Sequence, residues 1–289
     1  MTWFLLASLA LCLSALAAPA ATLDGITQRG SIRIGYIGGQ APFASTVPGS
    51  NPVGYAIDLC DKIADEIEHR VPQLKREYKE LNLATGFDAV KDGKVDLLCG
   101  AITANLQRRE IVDFSQPIFL TGATALIRKD SPSYLRSLFF YEPAATNVSH
   151  QATSTHVIGV RANTTTEATL QQALAMEESS MKIVNFQTHA EGLAALQDHK
   201  IDGYFADRAL LIDMAARAHE PSSLEIGDRL FTHDPYAIAL PRNDADFRLI
   251  ADRALTDFYT SDDLLPLLTT YFGDEAPLLH TQVIMLHVP

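Results

Sequence analysis

From Gly30 onward the chain alternates short apolar runs of period two with longer stretches whose apolar residues recur every three or four positions. This constrains the fold more than any other feature, because strands and helices in alternation assemble as layered α/β sheets. Ser31 to Tyr36 places an apolar residue at every second position and reads as a first strand. Gly38 to Phe43 is the loop leaving it, and Gly54 to Cys60 opens a helix with Ile57, Cys60, Ile63 and Ile67 on one face. Tyr78 to Leu81 predicts a second strand, Phe87 to Val90 a short helix, and Val95 to Cys99 a buried strand ended by Gly100. Later strands are expected at Val157–Val160, Lys182–Phe186 and Ile201–Asp207, with closing helices at Phe247–Tyr259 and Leu264–Phe272. Ala123–Arg128 and Asp234–Leu240 are extended and read as crossings to and from a second lobe. Asp130 to His156, with Ser131-Pro132, Pro143 and a Ser/Thr-rich run, predicts surface loop, and the tail from Glu275 has no assigned element.

The 289 residues give room for two domains, and 47% apolar residues suffice for a full core. A net charge of −12 argues against a nucleic-acid partner but says nothing of a pocket's local field. Met1 to Ala21 has an apolar segment too short to span a membrane, followed by Ala15-Leu16-Ala17 and Ala18-Pro19-Ala20, and reads as a cleaved export signal. Cleavage leaves Cys60 and Cys99 in an oxidising compartment, where they are either bridged or buried as free thiols.

The densest chemistry lies between Val95 and Gln116. A strand ends in small residues, and Thr103, Arg108 and Arg109 follow. Backbone N–H groups and a hydroxyl next to a guanidinium fork suit capture of a carboxylate. On the residues alone, a solvated helical turn with two arginines is the commoner reading.

The order strand, Thr103, Arg108, Phe114-Ser115 resembles the signature of the bacterial family 3 solute-binding proteins, the periplasmic amino-acid receptors of ABC importers. Cys99-Gly-Ala-Ile-Thr-Ala-Asn-Leu-Gln-Arg108 looks most like the glutamate/aspartate-binding branch. Pro42-Phe43, the helix entry at Gly54-Tyr55, Val160 to Glu167 with its three threonines, and Asp202 to Asp207 fall on further motifs in the family's order, from about Gly30 to Gly273.

The resemblance implies a type II periplasmic binding protein, two α/β lobes joined by two crossing strands. Lobe 1 comprises residues 22–124 and 239–289, and lobe 2 residues 125–238. Arg108 is implied to clamp the ligand's α-carboxylate, with Arg109 a surface residue. Thr103 and the helix N-terminus at Thr164 and Thr165 would assist it, and Asp207 would accept the α-ammonium. Gln40, Phe43 and His189 complete the implied ligand contacts, and Asn163 stands where the family has a glycine. The branch often has cysteines at both positions, so a Cys60–Cys99 disulfide is implied. The position matching Ile37 is arginine in the acidic-amino-acid branch and aspartate in the basic one. An apolar Ile37, with Gln40 beside it, implies an amino acid with an uncharged side chain, although a protonated His189 would favour an acidic one.

The expected protein is thus a monomeric receptor in the periplasm, with an amino-acid ligand, a membrane permease as partner, and no metal or cofactor. Two other readings compete: a cyclohexadienyl (prephenate/arogenate) dehydratase-like enzyme using Glu167 and His189, and a sensor or accessory protein of a secreted redox enzyme.

Overall fold

The computed structural model describes residues 22–141, 156–176 and 181–287. The expected export signal and the Ser/Thr-rich run lie outside these residues.

Two five-stranded sheets form the two lobes. The first is built from β1 (Ser31–Ile37), β2 (Lys75–Leu81), β3 (Leu97–Cys99) and β4 (Asp113–Thr121) in the first half of the chain, and from β10 (Asp234–Leu240) in the second. Their spatial order is β2-β1-β3-β10-β4, with β1, β2 and β3 parallel and β10 antiparallel to both neighbours. The second sheet contains β5 (Ala123–Arg128), β6 (Val157–Arg161), β7 (Lys182–Phe186), β8 (Gly203–Asp207) and β9 (Leu224–Ile226), in the order β7-β6-β8-β5-β9. Here β6, β7 and β8 are parallel and β5 runs against β8 and β9.

The helices cover both faces of each sheet. Lobe 1 carries α1 (Thr22–Arg29), α2 (Tyr55–Glu68), α3 (Leu83–Lys91), α8 (Ala245–Tyr259), α9 (Leu264–Phe272) and α10 (Ala276–Leu286). Lobe 2 carries α4 (Ser133–Phe139), α5 (Thr165–Met176), α6 (His189–Gln197) and α7 (Arg208–Ala216). Period-two packing is visible along β1, where Ile32, Ile34 and Tyr36 join one core cluster and Ile37 turns to the cluster on the opposite face. Local signals start the helices: the Asn82 side chain caps α3, and Thr188 with Glu191 forms a capping box at α6.

The chain leaves the first sheet at Gly122 and returns through residues 227–233. The passages touch there: a Cβ on Gly122 would lie 2.3 Å from the Thr232 carbonyl oxygen, so only glycine fits. The sheets therefore divide the chain a few residues before the boundaries at 124/125 and 238/239, because the apolar runs of β5 and β10 continue past the change of sheet.

Two segments differ from expectation. Part of the expected surface loop is α4, which buries Leu135 and Phe139 against the second sheet; Pro132 precedes its first turn instead of breaking it. The tail forms α10, which buries Ala276 and Val283 against lobe 1. Pro277 occupies its first turn, where a missing N–H costs nothing.

A disulfide joins Cys60 on α2 to Cys99 at the end of β3, with Cα atoms 6.5 Å apart. It ties the strand that leads into Ala101–Arg108 to the helix behind it.

Candidate ligand-binding site

In both sheets the chain reverses its direction of growth, between β1 and β3 in lobe 1 and between β6 and β8 in lobe 2. The carboxyl ends of strands flanking such a reversal leave a crevice suited to ligands. The two crevices face each other across a narrow cavity of about 20 Å³. Lobe 1 lines it with Gln40, Leu83, Ala101, Thr103 and Arg108. Lobe 2 contributes Arg161, Thr164 to Thr166, His189 and Asp207.

Arg108 begins a single 3-10 turn, Arg108–Glu110, whose first N–H is held by the Asn105 side chain at 2.8 Å. Its Nη1 donates to the Thr103 carbonyl at 2.7 Å, and its guanidinium lies 4.9 Å above the Phe87 ring. These contacts fix the fork. Burial lowers the guanidinium's pKa, while Asp207 and Asp234 partly restore it. Arg109 is exposed.

Asp207 ends β8 and is buried. Its Oδ1 accepts from Thr166 Oγ1 at 3.1 Å, and its Oδ2 accepts from the Tyr236 hydroxyl, which comes from the other lobe. Burial, reinforced by Asp234, pushes its pKa up to about 6 despite the opposing hydrogen bonds and Arg108. Among the described residues no ion pair joins Arg108 to Asp207. Each keeps its charge available to a third party.

Thr164 caps α5: its Oγ1 accepts from Glu167 N at 3.0 Å and donates to the Arg161 carbonyl at 2.8 Å. Thr165 Oγ1 reaches Thr103 Oγ1 at 3.4 Å across the cleft, so the two walls are in contact. Asn163 adopts a left-handed φ of 62°, the conformation its family glycine would need, and its N–H donates to Glu167 at 2.7 Å. The amino end of α5 therefore opens onto the cavity with N–H groups and a favourable dipole.

Three expected contacts are placed differently. Phe43 is not in the wall: it is fully buried in lobe 1, edge-on to Phe119 at 4.9 Å and to Tyr236 at 5.1 Å, where it supports the tyrosine. Gln40 is in the wall, but its Oε1 accepts from Ala101 N at 3.0 Å and its Nε2 points to Ala101 O at 3.4 Å. It braces the loop after β3 and has its amide committed to the backbone. His189 is also in the wall, with Nδ1 3.0 Å from the Tyr204 hydroxyl. Burial and the nearby Arg161 charge push its pKa down to about 3, so it is neutral rather than a cation near neutral pH. Ile37 does not line the cavity; it is fully buried on the α3 face of the sheet.

Four participants escaped the sequence reading: Arg161, Thr166, Tyr236 and Phe87. The third of a run of threonines opening a helix was a visible signal for Thr166. Arg161 offered a weaker one, an arginine closing an otherwise apolar strand.

Residues 32–274 match the bacterial extracellular solute-binding proteins, family 3. The chain belongs to that family. It is 29% identical over 260 residues to the L-glutamate/L-aspartate-binding protein of Pseudomonas aeruginosa, covering 89% of this chain and 81% of that one. It is 25% identical over 222 residues to the ABC transporter glutamine-binding protein GlnH of Bacillus subtilis, covering 76% and 73%. Among solved structures, a substrate-binding protein of an ABC uptake transporter from Streptococcus pneumoniae, with histidine bound, superposes with a TM-score of 0.73 at 15% identity, covering 90% of this chain and 99% of that one. An ancestral amino acid-binding protein described as a precursor of cyclohexadienyl dehydratase gives 0.72 at 23% identity, covering 88% and 100%. At these identities the solved structures establish the two-lobed fold. For a family 3 protein the cavity between the lobes is the place to look for the solute.

Proposed function

We propose that the protein is a periplasmic receptor that captures an α-amino acid between its lobes for the membrane permease of an ABC importer. One observation carries this reading. Arg108 and Asp207, opposite in charge, face one small cavity from opposite lobes without pairing with each other. A zwitterion supplies the missing partner to both, and only the closed arrangement satisfies the two together. The α-carboxylate goes to Arg108, Thr103 and the amino end of α5. The α-ammonium goes to Asp207, held by Thr166 and Tyr236. Relatives named as importer binding proteins support export by a cleaved signal and docking on a permease.

The names of the relatives divide over the side chain, acidic in one and glutamine in another. The neutral side chain expected from Ile37 and Gln40 has lost its structural support, since Ile37 faces the core and the Gln40 amide is committed to Ala101.

The dehydratase reading finds little here. Glu167 accepts from Asn163 N, Gln171 and Asn185, and His189 is bound to Tyr204, so neither is placed as a free proton donor. A thermal-shift screen of the twenty amino acids plus prephenate tests the receptor reading. An amino acid should raise the melting temperature. Stabilisation by prephenate alone, with turnover, would replace the receptor by the enzyme.

A further inference from the structure

Arg161 closes β6 and is 8% exposed. It lines the inner cavity beside Thr164, Thr165 and His189, and it also borders the wider mouth of the cleft, next to Gln187 and Thr188. Its Nε donates to the Gln187 carbonyl at 3.2 Å. Its Nη1 is shielded from solvent and has no hydrogen-bond partner, and among the described residues no carboxylate lies within 4.0 Å of the guanidinium. Arg128, the other lobe 2 arginine with a buried unbonded nitrogen, contrasts with it: Arg128 donates to two carbonyls and lies near Asp130 and Asp202.

An arginine does not escape such a site by losing its proton, so its burial without a counter-ion is strongly unfavourable. Among the described residues none supplies an anion for it. Arg108 answers the α-carboxylate and Asp207 the α-ammonium, which leaves Arg161 for whatever the ligand carries beyond its α-carbon. Next to it, His189 accepts at Nδ1 if Tyr204 donates, and then its Nε2–H is a donor that brings no competing charge.

We propose that Arg161 is the specificity-determining residue of the site, pairing with a second carboxylate on the ligand's side chain and so selecting dicarboxylic over neutral amino acids. The proposal rests on the receptor reading. Both require the cavity, but only this one assigns a role to Arg161. It replaces the neutral side chain that Ile37 suggested.

The test is calorimetric titration of ligand-stripped protein with glutamate, glutamine, aspartate and asparagine, in the wild type, Arg161→Gln, Arg161→Lys and Arg108→Ala. The wild type should bind at least one acid about thirtyfold or more tightly than its amide, the scale of a buried charge pair. Arg161→Gln should bring that ratio close to one, and Arg161→Lys, which keeps the charge without the fork, should fall between. Arg108→Ala should weaken acids and amides together and leave their ratio standing. Wild-type preference for the amides would overturn the assignment of Arg161 while leaving the receptor intact. Equal losses for acid and amide in Arg161→Gln and Arg161→Lys would make Arg161 a framework residue and overturn it too. Binding of none of the four ligands by folded wild type would overturn the assignment of Arg161, and the receptor reading would fall with it only if the other amino acids also failed to bind.

Discussion

The two walls of the cleft are built differently. On lobe 1 the charged group is Arg108, carried by a short turn and fixed by partners of its own: the Thr103 carbonyl and the Phe87 ring. The strand leading into that wall is bonded covalently to α2 through Cys60–Cys99. On lobe 2 the charged groups sit at strand ends, Asp207 ending β8 and Arg161 ending β6, with α5 and α6 starting alongside. Asp207 has its hydrogen bonds made, and Arg161 does not. A wall whose cation is already placed suits the group common to every amino acid. A wall with an unanswered cation suits the part that varies.

The largest effect should come from the lobe 1 wall. Arg108→Ala removes one partner of a buried charge pair, which costs about 2–5 kcal/mol of binding to any α-amino acid. Arg109→Ala, at an exposed neighbour, should leave calorimetric affinity unchanged. If the order is reversed, lobe 1 presents the wrong arginine. The covalent brace is next. Replacing Cys60 and Cys99 by serine releases a 39-residue separation in the unfolded chain and should lower unfolding free energy by roughly 3–4 kcal/mol, read from denaturant midpoints. Affinity measured well below the melting temperature should change less than stability does. A large loss of affinity with unchanged stability would mean that the bridge shapes the wall instead of holding the lobe.

The lobe 1 wall was the more legible in the sequence. Thr103 and Arg108 were singled out by the family resemblance, and being close in the chain they reach the same wall of the cavity. Asp207 and the threonines of α5 were named from the same resemblance, and as a strand end and a helix start they also lie on the cavity wall. Arg161 was not legible, because its burial depends on the Gln187 carbonyl and on α6, contacts made between distant segments. Ile37 misled for the opposite reason. A motif position suggested the pocket, but strand alternation turns the side chain toward α3, where it meets Leu98 and packs near Gly86. The strands β1, β2, β3, β6, β7 and β8 were legible from the pattern of apolar residues, whereas β4 and β9 were not read as strands and β5 and β10 were read as crossings. The helices α4 and α10 were missed because a proline near a helix start reads like a breaker.

A smaller effect concerns pH and separates the two titratable groups of lobe 2. Burial pushes the pKa of Asp207 up to about 6. An ammonium ligand binds its ionised form, so below about pH 6 binding must first expel a proton. Affinity should be flat from pH 7 to 8 and fall by up to about tenfold per pH unit below 6, with proton release on binding. His189, pushed down to about 3, adds no limb between pH 5 and 8. A break near pH 6.5 that survives in Asp207→Asn but disappears in His189→Gln would assign the titration to the histidine and make lobe 2 a charge switch.

The smallest change proposed is one hydroxyl, that of Tyr236. It comes from β10 of lobe 1 and donates to Asp207 of lobe 2, so it connects the two walls through the ammonium site. The ring is fully buried against Phe43 at 5.1 Å and Phe119 at 6.2 Å, and phenylalanine preserves that packing. Tyr236→Phe therefore removes a hydrogen bond to the charged form of Asp207 and little else. A bond that favours the carboxylate lowers its pKa, so its loss must raise it further above 6. A shift of about one unit corresponds to about 1.4 kcal/mol between the protonation states. At pH 8 most of the carboxylate is still ionised, and affinity should fall only a few-fold. At pH 6 the titration should give a deficit of about fivefold, because about half of the wild-type carboxylate but only about a tenth of the variant's is ionised, and the deficit should approach about tenfold at lower pH. The acid limb of the binding curve should move upward by the same amount. A limb that stays in place would mean that Asp207 does not carry the titration. A limb that moves down would mean that the tyrosine serves the protonated acid, and that the ammonium is held elsewhere on the lobe 2 wall.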